Sequence, residues 1–165
     1  MESYIHPLKV IVTKNRAGQG LGLYSVCSAN ELVLRASIRH AVFHRYPLII
    51  ESTSNQVNQL GGYTGMQPQD FKALVESIAR EEGMEGDALI LGGDHLGPLI
   101  WHDEKEADAM KKAEEMVRAY VLAGFTKIHL DTSMKLADDE PTLPLDAQIC
   151  ARRGGGFGKN CRGNL

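Results

Sequence analysis

The sequence predicts an α/β protein built on a parallel sheet, made of four consecutive βα repeats. Two observations carry this reading. Short apolar runs of strand length alternate with longer stretches whose apolar residues recur at helical spacing, and the connections between them are short. The composition agrees: 165 residues, 43% hydrophobic and 24% charged, give enough apolar surface for one sizeable core.

Residues 7–17 are predicted as a helix, with Pro7 at its start and Gly18 just past its end. Residues 22–27 read as the first strand. Ser28-Ala29-Asn30-Glu31 has capping-box spacing, and a helix follows to about His44 with Leu34, Ile38, Ala41 and Val42 on one stripe. Pro47 precedes a second strand at 48–52, and a polar loop runs over 53–67. Pro68 then opens a helix in which Phe71, Leu74, Val75 and Ile78 keep helical spacing. The third strand, 88–91, leads into Gly92-Gly93-Asp94-His95. The acidic stretch 103–106 caps a long helix with Met110, Ala113, Val117, Tyr120 and Val121 inward. Gly124 ends it, and 127–131 form the fourth strand. A closed barrel has eight strands and ~250 residues, so four repeats make about half of one. A doubly wound sheet shows the same alternation, and periodicity alone does not choose between them.

The pattern breaks at the end, dividing the chain into a folded body, 1–150, and an Arg/Gly-rich tail, 151–165. The tail holds five glycines, four basic residues and no acids, opposing the body in charge. Such a segment has too little apolar surface to order itself and is predicted to be disordered.

A net charge of −3 and a pI near 6.1 argue against nucleic acid as a partner. No apolar run approaches the ~20 residues that span a bilayer, and the first seven residues lack the basic and apolar regions of a secretory signal. A cytoplasmic location is expected. Cys27, Cys150 and Cys161 fit no zinc pattern and read as reduced thiols, with Cys27 packed in a core strand.

Polar residues gather where the strands end, which in a parallel barrel is where ligands meet the protein. Alternation puts His129 and Asp131 on one face while Ile128 and Leu130 take the other, and places Glu51 with Ile49 and Asp94 with Ile90 and Gly92. Carboxylates beside imidazoles need pairing or a cation. Convergence of Glu51, Asp94, His95, His129 and Asp131 would suit acid–base or metal-assisted chemistry on a polar metabolite; the alternative is a hydrogen-bonded layer that fixes strand register. The loop Gly61-Gly62-Tyr63-Thr64-Gly65-Met66 is rich in backbone donors, fit to close over a phosphate or sugar or to serve as a plain turn. Glycines in 92–97 bring the backbone close to whatever Asp94 and His95 hold. Two nucleotide motifs fail. Gly18-Gln19-Gly20-Leu21-Gly22 has its third glycine too early and no strand before it. Residues 154–160 imitate a phosphate loop, but Asn160 stands where Ser or Thr would hold magnesium.

Five blocks carry a resemblance: Tyr24-Ser25-Val26-Cys27-Ser28-Ala29, Glu51-Ser52-Thr53-Ser54-Asn55-Gln56-Val57, the 61–66 loop, residues 89–98 around Gly92-Gly93-Asp94-His95, and Lys127-Ile128-His129-Leu130-Asp131-Thr132-Ser133-Met134. In this order and spacing, over about 8–147, the chain resembles the Z-subunit family of class II D-tagatose-1,6-bisphosphate aldolase, which serves galactitol and N-acetylgalactosamine breakdown. The resemblance implies a (β/α)8 barrel of the TIM type, of which this chain would hold about the first four units. It also implies a non-catalytic, stabilising role beside the catalytic subunit, which needs no cofactor, with a sugar or sugar phosphate as ligand. Some relatives act instead as metal-dependent ketose 4-epimerases or aldolases, by retro-aldol chemistry with zinc or manganese. By that analogy Asp94 is the catalytic proton carrier and His95 the metal ligand. Glu51, Asn55, Gln56, His129 and Asp131 are then substrate-side residues. After Ala147 the family pattern would continue through further strands, taking the remaining metal-binding histidines with it. The Arg/Gly tail stands in its place, as a reading-frame change would leave it, and an inactive truncated product is the third expectation.

Overall fold

The computed structural model describes residues 5–84 and 86–162. In chain order the elements are α1 (Pro7–Arg16), β1 (Ser25–Cys27), α2 (Glu31–His44), β2 (Leu48–Thr53), α3 (Pro68–Glu81), β3 (Leu89–Leu96), α4 (Glu106–Ala123), β4 (Lys127–Leu130) and α5 (Ala147–Arg162). The strands are all parallel and lie in the order β1-β2-β3-β4. A doubly wound sheet reverses its strand order partway; here each strand neighbours its successor, and α2, α3 and α4 pack side by side on one face. This is four βα units of the (β/α)8-barrel type.

The core lies between that face and the helices. Leu48, Ile50 and Leu91 of the sheet join Leu34 and Ile38 of α2, Phe71, Val75 and Ile78 of α3, and Met116, Val117 and Tyr120 of α4 in one buried cluster. Fully burying each such side chain contributes roughly 1.5–3 kcal/mol. Local chemistry sets the helix ends. The Asn30 side chain accepts the amides of Leu32 and Val33 to start α2, so Asn30 caps it in place of the predicted box on Ser28. Pro68 starts α3, and Gly124 closes α4 with φ 95°. The first amide of α4 goes to Asp138, a cap from far along the chain that local pattern does not reveal.

The structure departs from the sequence reading in four further places. β1 is three residues long, half the predicted run. β3 is twice the predicted length, because Gly92 and Gly93 pair on both sides, with Glu51 and Ser52 and with Lys127 and Ile128. Cys27 is exposed and not in the core, since it ends the edge strand β1 on the sheet face away from the helices. Finally, 151–162 are not disordered but belong to α5. The Arg153 side chain is wholly buried, paired with Glu106 at 2.9 Å and Asp139 at 2.8 Å, and Phe157 is buried in the core cluster. The rest of the predicted tail, 163–165, lies outside the described residues. Among the described residues no helix is long and apolar enough to cross a membrane.

Candidate functional site

Strand register sets the site. Cys27 pairs with Glu51, Glu51 with Gly92, and Gly92 with Lys127, so these positions form one row across the sheet. Alternation gives the face away from the helices Ser25, Cys27, Glu51, Thr53, Asp94, Lys127 and His129. Ser52, on the opposite face, points toward α4 and bonds the Tyr120 hydroxyl at 2.9 Å.

Glu51 is 4% exposed, and a buried carboxylate needs partners. The Ser25 hydroxyl and the Lys127 ammonium both donate to it. Gly92 leaves the room, because a Cβ there would come within 2.7 Å of Glu51 Oε1. Lys127 Nζ also reaches Asp94 Oδ1 at 3.4 Å, tying this row to the strand ends.

There, Asp94 bonds His129 Nδ1 at 2.8 Å and Asp131 bonds His95 Nδ1 at 3.0 Å. The two imidazoles lie edge to face, their centroids 4.7 Å apart. In a regular strand Asp94 and His95 would face opposite sides. The β3–β4 register shifts between Gly93 and Leu96, and His95 takes a left-handed φ of 49°. This irregularity lets both residues serve one mouth. Gly97 makes the approach possible, since a Cβ there would sit 1.7 Å from the Asp131 carbonyl oxygen.

Electrostatics follow from these contacts. Burial opposes ionisation of Asp94, but His129, Lys127 and His95 outweigh it and hold the carboxyl below its ordinary range. Burial likewise opposes ionisation of Asp131, yet the Ser133 hydroxyl and amide and His95 bring it to about 2. The hydrogen bond to Asp131 is the main cause that raises His95 above an ordinary imidazole. Desolvation, then Asp94 and Glu51, push the Cys27 thiol up, which disfavours a thiolate nucleophile.

Of the residues expected from sequence, Glu51, Asp94, His95, His129 and Asp131 meet in one network. Asn55 is exposed outside it, its carbonyl accepting the Tyr63 amide at 2.9 Å. Gln56 Oε1 is engaged by the Thr53 amide at 2.9 Å and the Cys27 thiol at 3.7 Å, bracing the loop at the rim. The 61–66 loop is a packed turn: Thr64 donates to the Gln56 carbonyl at 2.6 Å, and Asn58 accepts the Gly62 amide at 3.2 Å. Lys127 and Ser25 were missed. The alternation that turns His129 inward turns Lys127 inward too, so the signal was present.

Asp94, His95 and His129 each offer a ligand atom, all within 4.8 Å of one another. Two imidazoles and a carboxylate fit a divalent ion such as zinc or manganese. The structure thus adds His129 to the metal-ligand candidates.

Comparison with known proteins identifies the family and the fold. The sequence model described as D-tagatose-1,6-bisphosphate aldolase subunit GatZ/KbaZ-like matches residues 8–163, so the match runs beyond Ala147, where the sequence reading had the resemblance end. The D-tagatose-1,6-bisphosphate aldolase subunit GatZ of Salmonella agona is 53% identical over 146 residues, 88% of this chain and 34% of that protein. Its counterpart in Klebsiella pneumoniae is 51% identical over the same shares. The chain therefore spans 34% of the length of these relatives. Among solved structures, a probable tagatose 6 phosphate kinase from Sinorhizobium meliloti 1021 superposes with a TM-score of 0.81 at 45% identity. That likeness covers 87% of this chain and 36% of the other.

Proposed function

This chain belongs to the D-tagatose-1,6-bisphosphate aldolase subunit GatZ/KbaZ-like family, and from that premise we propose that it serves as an accessory, stabilising subunit of a tagatose-bisphosphate aldolase. The carrying observation is its 53% identity to the GatZ subunit of Salmonella agona. In this reading the partner is the catalytic subunit, the setting is cytoplasmic galactitol or N-acetylgalactosamine catabolism, and no cofactor is required. The test is co-expression with a catalytic aldolase subunit. Co-purification and slower loss of aldolase activity support the reading; a catalytic subunit equally long-lived without this chain removes it.

A second reading, a metal-dependent ketose epimerase or aldolase, is favoured by the Asp94–His95–His129 cluster. Those three residues would hold the divalent ion, which would supply electrostatic stabilisation of negative charge developing on the substrate. The chain's own groups divide the remaining work. Asp94, kept anionic by His129 and Lys127, has the form of a ligand or a base rather than an acid. Lys127 neutralises the buried Glu51 and faces Asp94, so the row beneath the mouth stays charge-balanced. Zinc or manganese analysis of the purified protein separates the two readings. Asp94→Asn adds a second arm, since it should leave the assembled aldolase intact under the accessory reading and abolish turnover under the enzymatic one.

A further inference from the structure

Asp131 stands in the substrate-side group by analogy, but its contacts assign it different work. Oδ1 accepts the Ser133 amide at 2.9 Å and the Ser133 hydroxyl at 2.6 Å, while Oδ2 lies 3.0 Å from His95 Nδ1. A carboxylate offers about four acceptor positions, so little capacity remains for a ligand hydroxyl. The Asp131 amide donates to the Leu96 carbonyl at 2.9 Å, and the missing side chain of Gly97 lets the Asp131 carbonyl approach. The residue is held from both its backbone and its far oxygen, and the remaining oxygen is aimed at one nitrogen.

Resting on the metal-dependent reading of the site, we propose that Asp131, braced by Ser133, is a positioning residue that locks His95 in the tautomer whose Nε2 is free to ligate a divalent cation. A carboxylate has no proton to give, so Nδ1 must carry the hydrogen and Nε2 the lone pair. Nε2 lies 3.9 Å from Asp94 Oδ2, on the side of the prospective ligands. Metal-bound histidines are commonly oriented this way, the other ring N–H donating to a carboxylate that fixes tautomer and ring angle.

Asp131→Asn tests this without changing shape. The Ser133 amide and hydroxyl both donate to the oxygen on their side, so the asparagine must place its carbonyl there and its NH2 toward His95. Nδ1 then becomes the acceptor, and the proton moves to Nε2. An isosteric swap that imposes the wrong histidine tautomer is a known way to disable a site without disturbing its geometry.

The measurement is a long-range 1H–15N spectrum of the histidine rings, taken on the full 165-residue chain at a pH where they are neutral. It is joined to a Co2+ titration of wild type, Asp131→Asn and Ser133→Ala. The expected result is Nδ1–H for His95 in the wild type and Nε2–H in Asp131→Asn, with Co2+ affinity reduced about 10–100-fold. Ser133→Ala, which keeps the carboxylate but loosens its brace, should give mixed tautomers and a smaller loss. It also carries the test should Asp131→Asn fail to fold. His95 retaining Nδ1–H in Asp131→Asn, or equal Co2+ affinity across the three chains, overturns the proposal. A wild type with the expected tautomer but no Co2+ binding overturns the metal reading itself, an outcome distinct from failure of the lock.

Discussion

At Gly97 the geometry of two strand ends depends on a missing methyl group. Its backbone is plainly extended, with φ −176°, so conformational freedom is not what requires glycine there. Contact is: a Cβ would lie 1.7 Å from the Asp131 carbonyl oxygen, inside any tolerable separation. Gly97→Ala should therefore force β3 and β4 apart, lengthening the Leu96–Asp131 and His95–Asp131 hydrogen bonds. We expect a loss of about 1–3 kcal/mol, the range for overpacking a tight site, measured as a fall in the urea midpoint. Gly65, with φ 78° and nothing near its absent Cβ, is the control: alanine there meets only the left-handed penalty, roughly 1–2 kcal/mol, and leaves the histidine contacts alone. Sequence had marked the 92–97 glycines as sites of close backbone approach but assigned the approach to a ligand. What approaches Gly92 and Gly97 is the protein, through Glu51 and Asp131. Residue type reveals that space is needed; it does not reveal what fills it.

Among the elements α5 was least legible and is the most instructive. Each helical glycine costs about 1 kcal/mol relative to alanine, and α5 contains Gly154, Gly155 and Gly156 in succession. Composition alone therefore predicts disorder. Two side chains offset it: Phe157, 1% exposed, and Arg153, 2% exposed, whose partners lie on α4 and in the loop after β4. Those partners are distant in sequence, so no local window could find them. Breaking a buried ion pair from one side typically costs about 3–5 kcal/mol, because the other charge stays behind. Arg153→Ala should lower stability by that order. Acid should act on the same contact. Arg152 is the main cause holding Glu106 down at about 2, joined by Arg153, and Arg153 is the main cause lowering Asp139. Because these folded values lie below the unfolded ones, the stabilisation is fully present above about pH 5 and is lost as pH falls toward 2. Thermal midpoints recorded from pH 6 to pH 2 should decline for the wild type and decline less for Arg153→Ala. Parallel curves would show that the pair contributes nothing.

For the whole molecule, periodicity delivered the four strands and the helices from α1 to α4, but neither α5 nor which strand neighbours which. Alternation of strand and helix is common to barrels and doubly wound sheets, and the choice came from the resemblance of five sequence blocks before the register confirmed it. Register also explains why the site was half visible: parity along one strand can be read locally, whereas the row Cys27, Glu51, Gly92, Lys127 exists only once four strands are aligned. The same arrangement makes stability uneven. β2 and β3 are paired on both sides and lie over the buried cluster, so their amides should open only with global unfolding. α1 buries no residue. It is tied by His6 to Thr126 at 3.1 Å and by Asn15 to Leu21 at 2.8 and 2.7 Å. It borders an open apolar groove of about 720 Å³ lined by Val10, Ile11, Leu21, Tyr24 and Tyr46. With so little apolar contact, α1 should detach while the sheet stays folded. Native-state hydrogen exchange read by mass spectrometry checks this: peptides spanning 7–16 should exchange fastest, with little dependence on added urea, because their opening exposes little new surface. Peptides spanning 48–53 and 89–96 should exchange slowest, with the urea dependence of global unfolding. If α1 instead shares the rate and urea dependence of β2 and β3, it is part of the cooperative core, and its exposed face must be covered in solution by contacts the isolated chain does not make.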